Sequence, residues 1–197
     1  MARKKKADEK SYTLWWQVRI ELLDVTPRVW RRVLIPEDLT LPRLNYIIQV
    51  CMGWTQSHLH EFVLGGKRYS TYDPDFADEL KQLDEQRVVL CRAMAPESRC
   101  FDYIYDFGDN WHHVITVEDP YAGTTQQGLS LRCLAGENAC PPEDVGGAGG
   151  YEDFLTAIAD PTHEEHDQFL QWVGGSFDPA RFDLESVNGN LAEIKIG

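Results

Sequence analysis

Leu14-Trp15-Trp16-Gln17-Val18-Arg19-Ile20-Glu21-Leu22 is the stretch that decides the fold. Leu14, Trp16, Val18, Ile20 and Leu22 recur at every second position, with Thr13, Gln17, Arg19 and Glu21 on the opposite parity. That period puts apolar side chains on one face of a strand and polar ones on the other. Asp24 to Pro27 supplies a turn, and Val29 to Ile35 reads as the return strand, stopped by Pro36. The chain therefore opens as an antiparallel hairpin.

Working outward, a helix follows: Leu44, Ile47, Ile48 and Cys51 fall at helical spacing behind Thr40 and Pro42, and Gly53 stops it. His58 to Leu64 alternates again, and Gly65-Gly66 marks a hairpin turn before Lys67 to Tyr72. Asp73 to Glu85 reads as an acidic surface loop. Arg87 to Met94 and Arg99 to Phe107 read as paired strands around Ala95-Pro96-Glu97-Ser98, with Trp111 to Glu118 as the next strand. Asp119 to Gly150, rich in Gly and Pro, is expected to be mostly loop. The period then changes: Tyr151 to Ala159 reads as a helix, Thr162 and Glu165 have capping-box spacing for another from His163 to about Val173, and Asp178-Pro179 starts a last one. The expected class is α+β: a mainly antiparallel sheet of hairpins with one early helix, then a C-terminal group of short helices. Residues 1–10 are expected to be a disordered basic tail, and 11–197 a single domain.

The 197 residues are 43% hydrophobic and 26% charged, enough apolar material for one core, and no apolar run approaches the ~18 residues of a membrane span. A cytoplasmic protein with no membrane contact is expected. The net charge is −13, yet the first ten residues carry five cations and two anions, so the remainder sums to −16. A body this acidic repels phosphate backbones, so nucleic-acid binding is not expected except through basic residues 1–10. Five cysteines (Cys51, Cys91, Cys100, Cys133, Cys140) without CxxC spacing read as reduced thiols; Cys133 and Cys140 lack two further ligands nearby for a structural zinc.

Two segments carry candidate chemistry. In Tyr105-Asp106-Phe107-Gly108-Asp109-Asn110-Trp111-His112-His113, the Gly-Asp-Asn run makes a tight loop, and strand parity turns His113 inward with Trp111 and His112 outward. In Ser57-His58-Leu59-His60-Glu61-Phe62, His58 and His60 share the parity of Phe62. The sharp expectation is a His/carboxylate metal site of His58, His60 and His113 with Asp106 and Asp109; the bland one is interior histidines that lock two hairpins together. A third segment, Cys140-Pro141-Pro142-Glu143-Asp144-Val145-Gly146-Gly147-Ala148-Gly149-Gly150, resembles a phosphate cradle only in its glycines. It has no Lys or Arg, and Glu143, Asp144, Glu152 and Asp153 would repel an anion. Its expected role is structural, with close packing at the glycines and an acidic side chain at the helix start. His163 and His166 read as solvated, and one of Arg31 and Arg32 is expected to pair with an acidic neighbour.

Pro27 with Trp30-Arg31-Arg32, Gly53-Trp54, Ser57 to Phe62, Tyr105 to Asp109 with Trp111 and His113, Cys140 to Gly147 and Gly150-Tyr151 together resemble the Ri-plasmid ORF-three-like family. Its members are often labelled TnpR-like passenger proteins of insertion elements. The resemblance implies a compact α+β domain and carries no established activity, cofactor or substrate. One departure is Leu44-Asn45, where the family pattern usually has Leu-His. The label suggests a resolvase, but serine recombination needs a nucleophilic Ser among several Arg and a basic DNA-binding module, which this acidic chain does not display. The expected function is a non-enzymatic accessory or binding module for an unidentified protein or peptide partner. Its candidate site comprises Trp54, His58, His60, Tyr105, Asp106, Asp109, Trp111, His113, Glu143 and Asp144. No cofactor is expected; the alternative is a metal-dependent hydrolase or nuclease using a divalent ion such as Zn²⁺.

Overall fold

A computed structural model describes residues 13–71 and 82–195. The expected basic tail, and most of the acidic loop read from Asp73, lie outside the described residues. β1 (Leu14–Leu22) and β2 (Val29–Pro36) form the expected hairpin, and α1 (Leu41–Met52) follows. β3 (His60–Leu64) and β4 (Lys67–Ser70) meet at Gly65-Gly66, whose φ values of 56° and 76° are those a two-residue hairpin demands. β5 (Gln82–Asp84), a one-turn helix α2 (Leu90–Ala93), β6 (Cys100–Tyr105), β7 (Trp111–Thr124) and β8 (Arg132–Glu137) complete the sheet region. Three helices close the chain: α3 (Gly147–Ala159), α4 (His166–Trp172) and α5 (Leu184–Ala192). The eight strands make one sheet in the order β5-β4-β3-β6-β7-β1-β2-β8, antiparallel throughout except β4 with β5. This is the expected α+β architecture.

Parity builds the core. Trp16, Val18, Ile20 and Leu22 are buried together with Leu44, Ile47, Ile48 and Cys51 of α1 in one cluster, so α1 packs on that face of the sheet. The other face is polar. There Arg32 bonds Glu118 through two nitrogens, Glu21 receives Arg19 and Arg28, and the Arg19 guanidinium lies 4.2 Å above the Trp30 ring. No described helix is long and apolar enough to cross a membrane.

Several expectations fail for physical reasons. Arg87–Met94 is not a strand: only Val89 bridges Thr40, and the following residues wind into α2. β6 takes β3 and β7 as partners instead. The stretch after Asp119 is not mostly loop, since β7 runs to Thr124 and β8 pairs with β2. β8 shows no alternation, since of its residues only Cys133 is buried; Asn188 of α5 covers its outer edge, its side chain bonding both N–H and C=O of Cys133. The Thr162 capping box does not form: Thr162 N and Oγ1 turn back to Asp160 Oδ1, and α4 starts only at His166. α3 begins before Tyr151, inside the glycine run. There a Cβ on Gly150 would sit 2.0 Å from the Val145 carbonyl oxygen, so only glycine fits. Arg32 is the arginine that pairs; Arg31, 2% exposed, instead donates to the carbonyls of Cys51, Trp30, Glu137 and Asn138.

Candidate functional site: an acidic corner beside His58

The end of α1 starts the site. Gly53, in the left-handed region, turns the chain so that Trp54 enters the core, where its Nε1 donates to Pro141 O at 3.0 Å. Trp54 stacks on Tyr105 with centroids 4.9 Å apart, meets His113 edge-on at 5.4 Å and Trp111 at 5.9 Å. The three aromatic members of the expected binding site are therefore core residues and present no surface to a partner. Trp54, Tyr105 and Trp111 are 7%, 1% and 2% exposed: strand parity turns Tyr105 and Trp111 inward, and the turn at Gly53 brings Trp54 onto them.

The three expected histidines do not converge. His60 Nε2 lies 3.0 Å from Glu85 Oε2 in a buried pair, a partner outside the predicted set. His113 is fully buried, with Nδ1 3.0 Å from Trp111 O and 3.3 Å from Tyr103 O. Both acceptors are carbonyls, so Nδ1 carries the proton and Nε2 is left as a buried acceptor without a partner. Burial holds the His113 pKa down to about 3, and this imidazole stays neutral. Ring contacts run from His60 to Tyr103, to His113, to Trp54, to Tyr105 and to His58. Aromatic rings thus separate the imidazoles, and the metal set His58, His60, His113, Asp106, Asp109 is not assembled. His60 and His113 are interior histidines: His60 ties β3 to Glu85 beyond β5, and His113 bonds carbonyls within the β6–β7 hairpin.

Asp109 is also diverted. Its Oδ2 accepts from Gly146 N at 3.2 Å, which places an acidic side chain just before the start of α3, as the sequence suggested. Gly147 sits so close that a Cβ there would lie 2.6 Å from Asp109 O. Glu143 makes the second tie: its Oε2 accepts from Thr55 N and Oγ1 at 3.1 and 2.6 Å, and its Oε1 accepts from the Tyr105 hydroxyl. Burial and this carboxylate push the Tyr105 phenol well above its ordinary pKa, which keeps it a donor. These ties dock the Pro141–Gly147 loop against the β6–β7 turn.

What docking brings together is His58, Asp106 and Asp144. Asp106 Oδ1 accepts from Gly108 N at 2.9 Å and Asp109 N at 3.4 Å, while Oδ2 faces His58 Nδ1 at 3.6 Å. His58 Nε2 lies 3.0 Å from Asp144 Oδ1, yet off the line of a hydrogen bond, so this solvent-shielded nitrogen has no bonded partner. One imidazole nitrogen and one oxygen from each Asp lie within 4.8 Å of one another, the one group of its kind among the described residues. Asp144 belonged to the predicted site but not to the predicted ligands; no spacing signal links its loop to His58. Gln56, Asp106, Asn110 and Asp144 all have φ near +60°, four of the six non-glycine residues there among those described. Alongside, Leu59 and Phe107 are 60% and 44% exposed, and Leu59 O accepts from Asp106 N at 2.8 Å. Neither was foreseen, although parity opposite to that of buried His60 already points Leu59 outward. Asn45, the departure from the family pattern, accepts from the Tyr103 hydroxyl at 2.6 Å and works in the polar core, not at this corner.

The comparisons with known proteins agree with the architecture. An uncharacterised protein, y4hQ, of Sinorhizobium fredii (strain NBRC 101917 / NGR234) is 38% identical over 179 residues, covering 90% of this chain and 87% of that one. The crystal structure of a protein of unknown function, MM3350, from Methanosarcina mazei Go1 matches with a TM-score of 0.78 and 31% identity, over 89% of this chain and 98% of that chain. The family described as Plasmid pRiA4b ORF-3-like protein matches residues 15–186, so the chain belongs to the plasmid pRiA4b ORF-3-like family.

Proposed function

We propose that the protein is a cytoplasmic accessory module, associated with mobile genetic elements, that binds a basic segment of a partner protein at the corner formed by His58, Asp106 and Asp144. The observation that carries this reading is the occurrence of two carboxylates beside two exposed apolar side chains, Leu59 and Phe107, at one corner. A lysine or arginine pairs with these carboxylates, chiefly the exposed Asp144, while its stem or an apolar neighbour covers Leu59 and Phe107. The −16 charge outside the first ten residues favours a cationic partner and steers its approach. The plasmid open reading frame that names the family supports the association with mobile elements.

A hydrolase built here would need, beyond a metal, a carboxylate free to activate water. Glu143, the neighbouring carboxylate, is already engaged by Tyr105 and Thr55, which favours binding over catalysis. The test is an array of short peptides, basic, neutral and acidic, each with and without flanking Leu or Phe. Basic peptides with an apolar neighbour bind, weaken as salt rises, and are lost on Asp106→Asn with Asp144→Asn. Equal retention of acidic and basic peptides overturns the reading.

A further inference from the structure

We propose that His58, Asp106 and Asp144 also form a divalent-cation site, one that takes Zn²⁺ or Mn²⁺. The ligand set differs from the one the sequence suggested, because its third member comes from the Pro/Gly loop and not from a second histidine.

Two observations carry the proposal. The first is the convergence of one imidazole nitrogen and two carboxylate oxygens within 4.8 Å. Atoms bonded to one ion at ~2.1 Å stand at most ~4.2 Å apart, so the trio closes with a shift of under about 1 Å. Asp144 supplies that shift: its side chain is 68% exposed, whereas the Asp106 carboxylate is pinned by two backbone amides and 12% exposed. The second is His58 Nε2, shielded from solvent and without a hydrogen-bond partner although a carboxylate oxygen lies 3.0 Å away. A hydrogen bond would align that oxygen with an imidazole N–H; an ion would have the nitrogen lone pair and the oxygen aim at a common point instead. One imidazole with two carboxylates suits first-row divalent ions, with water completing the shell, and offers too few oxygens for the six to eight that Ca²⁺ takes.

The ion site stands without the docking reading, but its regulatory consequence rests on it. A bound dication neutralises the two carboxylates that a basic segment would use, so ion and segment compete for the corner. The experiment uses the full chain, purified without a metal-affinity tag, stripped with EDTA and titrated calorimetrically with Zn²⁺, Mn²⁺ and Ca²⁺. One Zn²⁺ or Mn²⁺ per chain is expected, with Ca²⁺ silent. His58→Gln and Asp144→Asn, both at a partly exposed corner, each weaken binding at least tenfold while leaving the metal-free melting temperature unchanged. No binding heat, or binding that both variants retain, overturns the proposal. Leu59→Ser with Phe107→Ser separates the two readings. It spares the ion and loses the basic peptide, so an ion titration that fails leaves peptide docking standing, and a peptide array that fails leaves the ion site standing.

Discussion

Replacing His113 by Asn should change how stability depends on pH, because burial keeps this imidazole neutral in the folded chain. His113 is fully buried, its Nδ1–H donates to Trp111 O, its Nε2 has no partner, and burial holds its pKa down to about 3. In the unfolded chain the same imidazole titrates near ~6.5. Between those values the unfolded state binds a proton that the folded state refuses. Stability therefore falls as pH drops below about 6.5, by ~1.36 kcal/mol per unit. Acidification from pH 7.5 to 5.5, which stays above the isoelectric point near 4.8, costs about 1.4 kcal/mol through this residue alone. Asn keeps a donor near the Nδ1 position and does not titrate, so the variant loses that component while retaining every other pH effect. Urea unfolding followed by tryptophan fluorescence at the two pH values measures it. The variant is less stable at pH 7.5, because the ring leaves a void beside Trp54 and Tyr103, but its loss on acidification is about 1.4 kcal/mol smaller. Parallel pH dependences in the two proteins would refute the sealed, neutral histidine.

Other substitutions probe the supports of the site. Gly147→Ala places a methyl against Asp109 O at a φ of +70°, so it should cost more than ~2 kcal/mol in chemical denaturation and weaken ion binding by pulling Asp144 away. Arg31→Lys should lower the melting temperature by several degrees, since one ammonium cannot reach the four carbonyls that the guanidinium serves nor stack on Phe182 at 4.1 Å. Tyr103→Phe removes the donor to Asn45 Oδ1 and the acceptor for Gln49 Nε2, and should cost about 1–3 kcal/mol by urea titration with peptide binding unchanged.

Much of the sheet was legible because one buried face imposes alternation: β1, β3 and the inward parity of His113 all follow from it. α1 was legible for the corresponding reason at helical period, with Gly53 as its stop. β8 was not, because its stability comes from β2 on one edge and Asn188 on the other, and of its residues only Cys133 is buried. The glycines before Tyr151 looked like loop, yet they are helical because Gly150 packs against backbone. At the site, the local residues were legible and the long-range partners were not. His58 and Asp106 stood out by type and position, whereas Glu85 beside His60 and Asp144 beside His58 arrive from segments with no periodic signal. Strand parity turns Tyr105 and Trp111 inward, and the same burial that gathers them with Trp54 makes all three unavailable to a partner.

The most direct measurement of the docking corner is a ¹H–¹⁵N correlation spectrum of the labelled protein, titrated with the basic peptide that binds best. Shifts should concentrate in Ser57 to His60, Asp106 to Asn110 and Glu143 to Gly146, and disappear in the Asp106→Asn, Asp144→Asn double variant. Shifts centred instead on the opposite face of the sheet, around Trp30 and Arg32, or unchanged in the double variant, would contradict the account.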